Sequence, residues 1–134
     1  NNYIEIGKYL ESKDYIIVYY LGPSEKDYEK ILKQNFQNAI FLENENLLNS
    51  FSNIEIIMTS TKFLKFAISN DSGVSHMLST NYCPLIKLFG PKDSKKFTPN
   101  LKNLITVSSS EVNSEKIEDI SVKRVISAIE DINL

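Results

Sequence analysis

The chain has 134 residues, of which 42% are hydrophobic and 24% charged, and its net charge is −2. These values fit one soluble globular domain, and the slight negative charge argues against a general nucleic-acid-binding protein, which needs a basic face to offset phosphates. No apolar run reaches the roughly 18 residues that a membrane-spanning helix needs. The single cysteine, Cys83, cannot form an intrachain disulfide, which favours an intracellular protein in which this thiol is a small apolar filler.

The first part of the chain predicts alternating helices and strands. Residues 15–21 form a continuous β-branched and aromatic run, which is typical of a parallel strand covered on both faces. Gly22 and Pro23 end this run, and Ser24 is expected to cap the helix that follows. The elements predicted here are a helix over 3–12, a strand over 15–21, a helix over 24–35 with Tyr28, Ile31 and Leu32 on one face, and a strand over 39–42.

The alternation continues to the end of the chain. Apolar residues recur at helical spacing over 53–64, and Ser121 is expected to cap a final helix whose apolar positions follow the same spacing. The elements predicted here are a short helical piece over 46–51, helices over 53–64 and 73–80, strands over 66–69, 85–89 and 104–107, and the final helix with Val122, Val125, Ile126, Ile129 and Ile132 facing the core.

This order of elements predicts an α/β fold with a mainly parallel sheet and helices on both faces. In such sheets a ligand binds beyond the carboxyl ends of the strands, near the point where the strand order reverses. The two loops richest in polar residues and glycine, 69–76 and 89–93, both follow predicted strands directly. The sequence therefore predicts a binding site at this edge of the sheet.

The loop from Ser69 to His76 carries the groups best suited to an anionic ligand. Free amides and the dipole at a helix start favour an anion, and Gly73 has no Cβ to keep a ligand away from the backbone. Ser72 offers a hydroxyl, and His76 lies in the first turn, where it can donate to a phosphate or sugar oxygen. The pattern therefore predicts neutralisation of a diphosphate, first as a ligand and then as a leaving group.

Two other interpretations fit the same residues. Asp71 can be an ordinary helix N-cap, and His76 a structural histidine with its hydrogen bonds satisfied. A serine hydrolase with Ser72 as nucleophile and His76 as base is disfavoured, because positions i and i+4 rarely give that geometry and Asn70 replaces the first glycine of a nucleophile elbow.

A second loop follows the strand 85–89 and begins with Gly90 and Pro91. Its lysines, Lys92, Lys95 and Lys96, can approach a phosphate or simply form a solvated surface, and the solvated surface is favoured for the last two.

Taken together, these segments resemble glycosyltransferase family 9, the heptosyltransferases. The resemblance rests on Ile68-Ser-Asn-Asp-Ser-Gly-Val-Ser-His76, on Pro84, and on Leu88-Phe-Gly-Pro91 followed by Asp93. That family has a strand, then the pattern D-[ST]-G-x-x-H, then a proline before a strand that ends in F-G-P-T-x-P. Here Lys92 replaces the threonine and Ser94 the second proline.

The resemblance implies a Rossmann-like three-layer domain, residues 1–134, which is the carboxyl-terminal, donor-binding half of a GT-B glycosyltransferase. The donor is an ADP-heptose-like nucleotide-sugar, and the acceptor is a lipopolysaccharide or other glycan. The implied donor contacts are Asp71, Ser72, Gly73, His76 and Gly90, with Glu25 at the ribose and Ile54, or Met58, beside the base.

The resemblance also implies that the catalytic base and the acceptor site lie in an amino-terminal domain absent from these 134 residues. No metal or other cofactor is expected, and the expected location is the bacterial cytoplasm, with the full enzyme peripheral to the inner face of the membrane. The alternatives left open are a non-catalytic Rossmann-like binding domain and half of another GT-B-like enzyme, such as a nucleotide-sugar epimerase.

Overall fold

A computed structural model of the protein describes residues 2–42, 51–90 and 103–132. The chain divides into two compact units, Asn1–Ile56 and Ile57–Leu134, and each is described by itself. The predicted piece over 46–51 lies almost wholly outside the described residues, and so do Pro91, Asp93, Ser94 and the lysines Lys92, Lys95 and Lys96.

The first unit contains helix α1 (Asn2–Glu11), a short 3-10 turn (Pro23–Glu25) and helix α2 (Lys26–Asn35). The two strands predicted here, over 15–21 and 39–42, are reduced to one parallel bridge between Val18 and Ile40. The prediction that the first of these segments is covered on both faces was wrong, because Ile16 is 70% exposed.

The core of this unit is an aromatic cluster. Leu32, Phe36 and Phe41 are buried together, and the Tyr19 ring stacks on Phe41 with a centroid distance of 5.6 Å. Gly7 of α1 fits closely against this cluster, because a Cβ at that position would lie 2.6 Å from Cζ of Phe36. Packing therefore requires a residue without a side chain here.

Two details of α2 differ from the sequence prediction. Ser24 lies inside the 3-10 turn that precedes α2, and this turn is capped by Glu25, whose carboxylate accepts the Gly22 amide at 2.9 Å. Of the three apolar residues expected on the inner face, Leu32 is buried, whereas Tyr28 and Ile31 are exposed. One buried position in this ten-residue helix is enough because Phe36 and Phe41 are buried in the same cluster as Leu32.

Helix α3 (Asn53–Ser60) begins at a capping box formed by Ser52 and Glu55. The Glu55 carboxylate accepts the Ser52 amide at 2.8 Å, and the Glu55 amide donates to the Ser52 hydroxyl at 3.3 Å. Ile56 and Ile57 are buried, while Ile54 is 53% exposed. The predicted helix therefore exists, but Ile54 does not lie on its buried face.

The second unit is built on a parallel sheet of three strands in the order β1-β2-β3, which are Ala67–Asn70, Leu85–Phe89 and Leu104–Ser108. Ala67 pairs with Leu85, and Leu85 pairs with Leu104. Every residue of the central strand β2 is buried, so both of its faces are covered. The predicted α/β fold with a parallel sheet is confirmed.

Two helices pack on this sheet. Helix α4 (Gly73–Leu78) contacts β1 and β2, and helix α5 (Val122–Asp131) contacts β3. The predicted cap of α5 is present, because the Ser121 hydroxyl accepts the Arg124 amide at 3.2 Å. Short 3-10 turns complete the unit at Thr61–Phe63, Thr80–Tyr82, Ser109–Val112 and Ile117–Asp119.

Cys83 precedes β2 and is buried, as expected for an apolar filler. Burial raises the pKa of its thiol to about 11, so the unreactive thiol form prevails at neutral pH. In the described part of the chain, no helix is long and apolar enough to cross a membrane.

Candidate functional site

The loop that begins at Asp71 leaves the carboxyl end of β1 and is tied to the neighbouring strand. The Asp71 amide donates to the Leu88 carbonyl at 2.9 Å, which extends the sheet pairing by one residue. Gly90 follows β2 at the same edge, and its carbonyl accepts the Ser108 hydroxyl at 3.1 Å. The parallel sheet thus brings Asp71, Gly90 and Ser108 to one edge, which is where such folds bind ligands.

The N-cap of α4 is Ser72, whose backbone is extended with φ −151° and ψ 173°. The Ser75 hydroxyl donates to the Ser72 carbonyl at 2.7 Å and accepts the Ser72 amide at 3.4 Å. The interpretation of Asp71 as an ordinary N-cap was therefore wrong. The helix has only six residues, so its dipole is short and other groups must contribute to any attraction for an anion.

Gly73 occupies the first position of α4 and faces open space. A Cβ built at this residue would meet no heavy atom within 4 Å, and its φ is not positive. Neither packing nor backbone conformation requires glycine here, in contrast to Gly7. Glycine would be required at this position if a ligand approached the backbone closely, because any side chain would then be in the way.

His76 lies one turn further along α4 and is exposed. Its carbonyl accepts the Ser79 hydroxyl at 2.7 Å, and within the described residues the imidazole has no hydrogen-bond partner. The ring is therefore available to a ligand, and the interpretation of His76 as a structural histidine with its hydrogen bonds satisfied gains no support from the described residues. No hydrogen bond between Ser72 and His76 is present in the described parts of the chain, and the hydrolase interpretation gains no support.

Sequence reasoning missed a charged residue beneath this loop. Lys87 lies in the middle of β2, its side chain is 2% exposed, and its Nζ is 2.7 Å from Oδ1 of Asp71. The ammonium also lies 5.0 Å from the centre of the Phe89 ring. The signal in the sequence is one lysine inside an otherwise apolar strand, since a lysine buried on both sides needs a counter-charge.

A second polar network closes the end of β3. The Ser108 amide donates to the Glu111 carboxylate at 3.1 Å, and Arg124 of α5 donates to its other oxygen at 2.8 Å. Partial burial alone would raise the pKa of Glu111, but the hydrogen bonds from Arg124 and Ser108 and the charge of Arg124 outweigh it and lower this pKa. The carboxylate therefore stays ionised and fixes the turn after β3 to α5.

Glu25 and Ile54, the residues predicted at the ribose and the base, belong to the first unit. Both are exposed, and the Glu25 carboxylate also accepts the Gly22 amide. Their predicted roles remain predictions. Over the described ranges, no group of three or more histidine, cysteine, aspartate or glutamate side chains is arranged to hold a metal ion.

Comparison with known proteins gives a family match for the sequence and a similar fold among solved structures. The sequence model of glycosyltransferase family 9 (heptosyltransferase) matches residues 1–124. The fold is similar to the crystal structure of the glycosyl transferase family 9 protein from Veillonella parvula DSM 2008, with a TM-score of 0.78 and 18% identity over 97% of this chain. The chain spans 40% of the length of that protein. No curated protein matches. The chain belongs to glycosyltransferase family 9.

Proposed function

We propose that these 134 residues form the donor-binding domain of a glycosyltransferase. The domain holds a nucleotide-sugar of the ADP-heptose kind, whose sugar is transferred to a lipopolysaccharide or other glycan. The acceptor and the catalytic base belong to a second, amino-terminal domain of the full enzyme. The full enzyme works in the bacterial cytoplasm, peripheral to the inner face of the membrane.

The observation that carries the proposal is the position of the Asp71 loop. A D-S-G-x-x-H segment follows β1 at the carboxyl edge of a parallel sheet, beside Gly90 at the end of β2. Family membership indicates a glycosyl transfer, and the carboxyl edge of a parallel sheet is where such folds bind ligands. Open space at Gly73 and an exposed imidazole at His76 are what a diphosphate-binding loop needs.

The chemistry assigned to this domain is stabilisation of the leaving group. In an inverting transfer, an acceptor hydroxyl loses its proton to the base and attacks the anomeric carbon, and the nucleoside diphosphate departs with the bonding electrons. Donors aimed at the departing oxygen lower the barrier, because negative charge develops there in the transition state. We assign this role to the Ser72 hydroxyl, the Gly73 amide and the His76 imidazole, without a metal.

The proposal is tested by titrating the 134-residue chain with ADP, UDP and GDP at millimolar levels and following its melting temperature. At least one nucleotide is expected to raise the melting temperature, since a ligand that binds only the folded state stabilises it. A chain whose melting temperature responds to none of the three does not bind a donor nucleotide.

The sharper test is His76→Ala. Loss of a direct hydrogen bond to the ligand is expected to weaken nucleotide binding by about 1–2 kcal/mol, or roughly 5- to 30-fold. The matched control is Phe63→Ala, because Phe63 is also exposed but precedes β1, at the amino edge of the sheet. Unchanged affinity in a folded His76→Ala variant would remove this residue from the site.

A further inference from the structure

The most unusual side chain of the second unit is Lys87. It is 2% exposed and occupies the centre of a strand in which every position is buried. Lysine is almost never buried without a partner. Replacing a buried ion pair by apolar residues of similar volume is often neutral or stabilising, so stability alone does not require a lysine here.

The partner of Lys87 is a residue of the candidate site. Lys87 pairs in register with Ser69, two residues before Asp71, and its ammonium reaches Oδ1 of Asp71 at 2.7 Å. Strand β2 therefore holds Asp71 at two points, through this ion pair and through the Leu88 carbonyl. The Asp71 side chain remains 23% exposed, so part of the carboxylate is open to solvent.

A carboxylate beside a diphosphate is unfavourable unless its charge is compensated. Two like charges a few ångströms apart repel, and the repulsion grows as water is excluded. Lys87 supplies an opposite charge from the protein interior, where salt screens it little. The same ion pair leaves the second Asp71 oxygen able to accept a hydrogen bond from a neutral group, such as a sugar hydroxyl.

We infer that Lys87 is a positioning residue of the donor site, which holds Asp71 in place and neutralises it so that the loop accepts an anionic diphosphate. The inference rests on the proposed function and extends it to a residue that does not touch the ligand. Its consequence is specific: loss of the lysine weakens binding in proportion to the charge of the ligand.

The experiment compares adenosine, AMP and ADP, whose charge increases along the series while the base and ribose stay the same. None of them contains the donor sugar, so any sugar contact of Asp71 does not enter the result. Binding to the 134-residue chain is followed by NMR titration for the wild type, Lys87→Met, Asp71→Asn and the double variant. Lys65→Met is the control, because Lys65 is exposed, precedes β1 and carries the same charge.

Lys87→Met is expected to weaken ADP binding roughly tenfold, AMP binding less and adenosine binding by under about twofold. Asp71→Asn removes the repelling charge but also the ion pair, and it is expected to weaken ADP binding much less than Lys87→Met does. The double variant, which removes both charges, is expected to recover ADP binding to within about threefold of the wild type. Lys65→Met is expected to leave the whole series unchanged.

Equal losses for all three ligands would show that Lys87 only supports the fold, and would overturn the inference. If Lys87→Met does not fold, the double variant decides. Loss of ADP binding with adenosine binding retained would mean that the ligand needs the Lys87 charge itself, and would overturn the inference that Lys87 acts through Asp71. A wild type that binds none of the three would reject the proposed function as well. If the wild type binds ADP but Lys87→Met weakens the binding of all three ligands equally, only this inference is rejected.

Discussion

Gly7 and Gly73 show how differently the two units use their smallest residue. A side chain at Gly7 would collide with Phe36 at 2.6 Å, whereas a side chain at Gly73 would meet nothing within 4 Å. The first glycine serves close packing inside an aromatic cluster. Packing does not require Gly73, which lies in the loop where Asp71 pairs with the buried Lys87. Because the fold does not require glycine at position 73, we propose that a ligand close to the backbone does.

The largest effect on stability is expected from Gly7→Ala. The added methyl overpacks the cluster, because the Phe36 ring is buried and has little room to move. We expect a loss of about 1–3 kcal/mol in the free energy of unfolding, measured by urea denaturation. An unchanged midpoint would show that the cluster is looser than its contacts indicate and would remove the contrast with Gly73.

A smaller effect, dependent on pH, is expected from Glu111→Gln at the carboxyl edge. The pKa of Glu111 is lowered in the folded protein from its ordinary value of 4.5. Its charge therefore stabilises the protein above pH 4.5, and this contribution is lost as the pH falls through the lowered value. Because Glu111 and Arg124 are about 40% exposed, we expect a loss of only about 0.2–1 kcal/mol at pH 7.

The measurement is the free energy of unfolding of the wild type and Glu111→Gln at pH 7 and at pH 3. The difference is expected to shrink at the lower pH, because the contribution of the Glu111 charge declines as the pH falls below 4.5 towards the lowered pKa. Glu115→Gln is the control, since Glu115 is exposed in the same loop and its replacement is expected to change stability by under about 0.5 kcal/mol. A difference of the same size at both pH values would show that the Glu111 charge is not responsible.

The smallest effect on stability is expected from Gly73→Ala. Alanine favours the helix over glycine by roughly 0.5–1 kcal/mol, and no atom opposes the methyl group, so the variant is expected to be as stable as the wild type or slightly more so. Nucleotide binding is nevertheless expected to weaken, since the methyl occupies the space that the ligand approaches. Unchanged ADP affinity in Gly73→Ala would separate this glycine from the site.

The sequence was most informative where one physical rule dominates. Strand β2 has the predicted bounds, 85–89, because four of its five residues are apolar and Gly90 with Pro91 ends the run. Helix α5 begins directly after Ser121 because a cap and a regular apolar face agree. The two strands of the first unit were overestimated because β-branched composition does not reveal whether a neighbouring strand is present. In the same way, the exposure of Ile54 follows from packing and not from its spacing.

The candidate site was predicted as a list of residues but not as an arrangement. The motif around Asp71 and Gly73 indicates the loop, and the parallel order of the strands indicates its edge of the sheet. Lys87 was missed because a lysine in a strand is ordinarily exposed on one face, and only the three-dimensional pairing of β1 with β2 brings it to Asp71. The contacts of Glu25 and Ile54 with a donor remain predictions.

The central claim is that the loop 71–76 receives the diphosphate of a nucleotide-sugar. The most direct measurement is an amide-resolved NMR titration of the 134-residue chain with ADP at millimolar concentration. We predict that the amide signals of residues 71–76 and of Gly90 shift together in a saturable way, while the amide signal of Phe36 in the aromatic cluster does not shift. Saturable shifts elsewhere with none in residues 71–76, or no shifts at all, would contradict it.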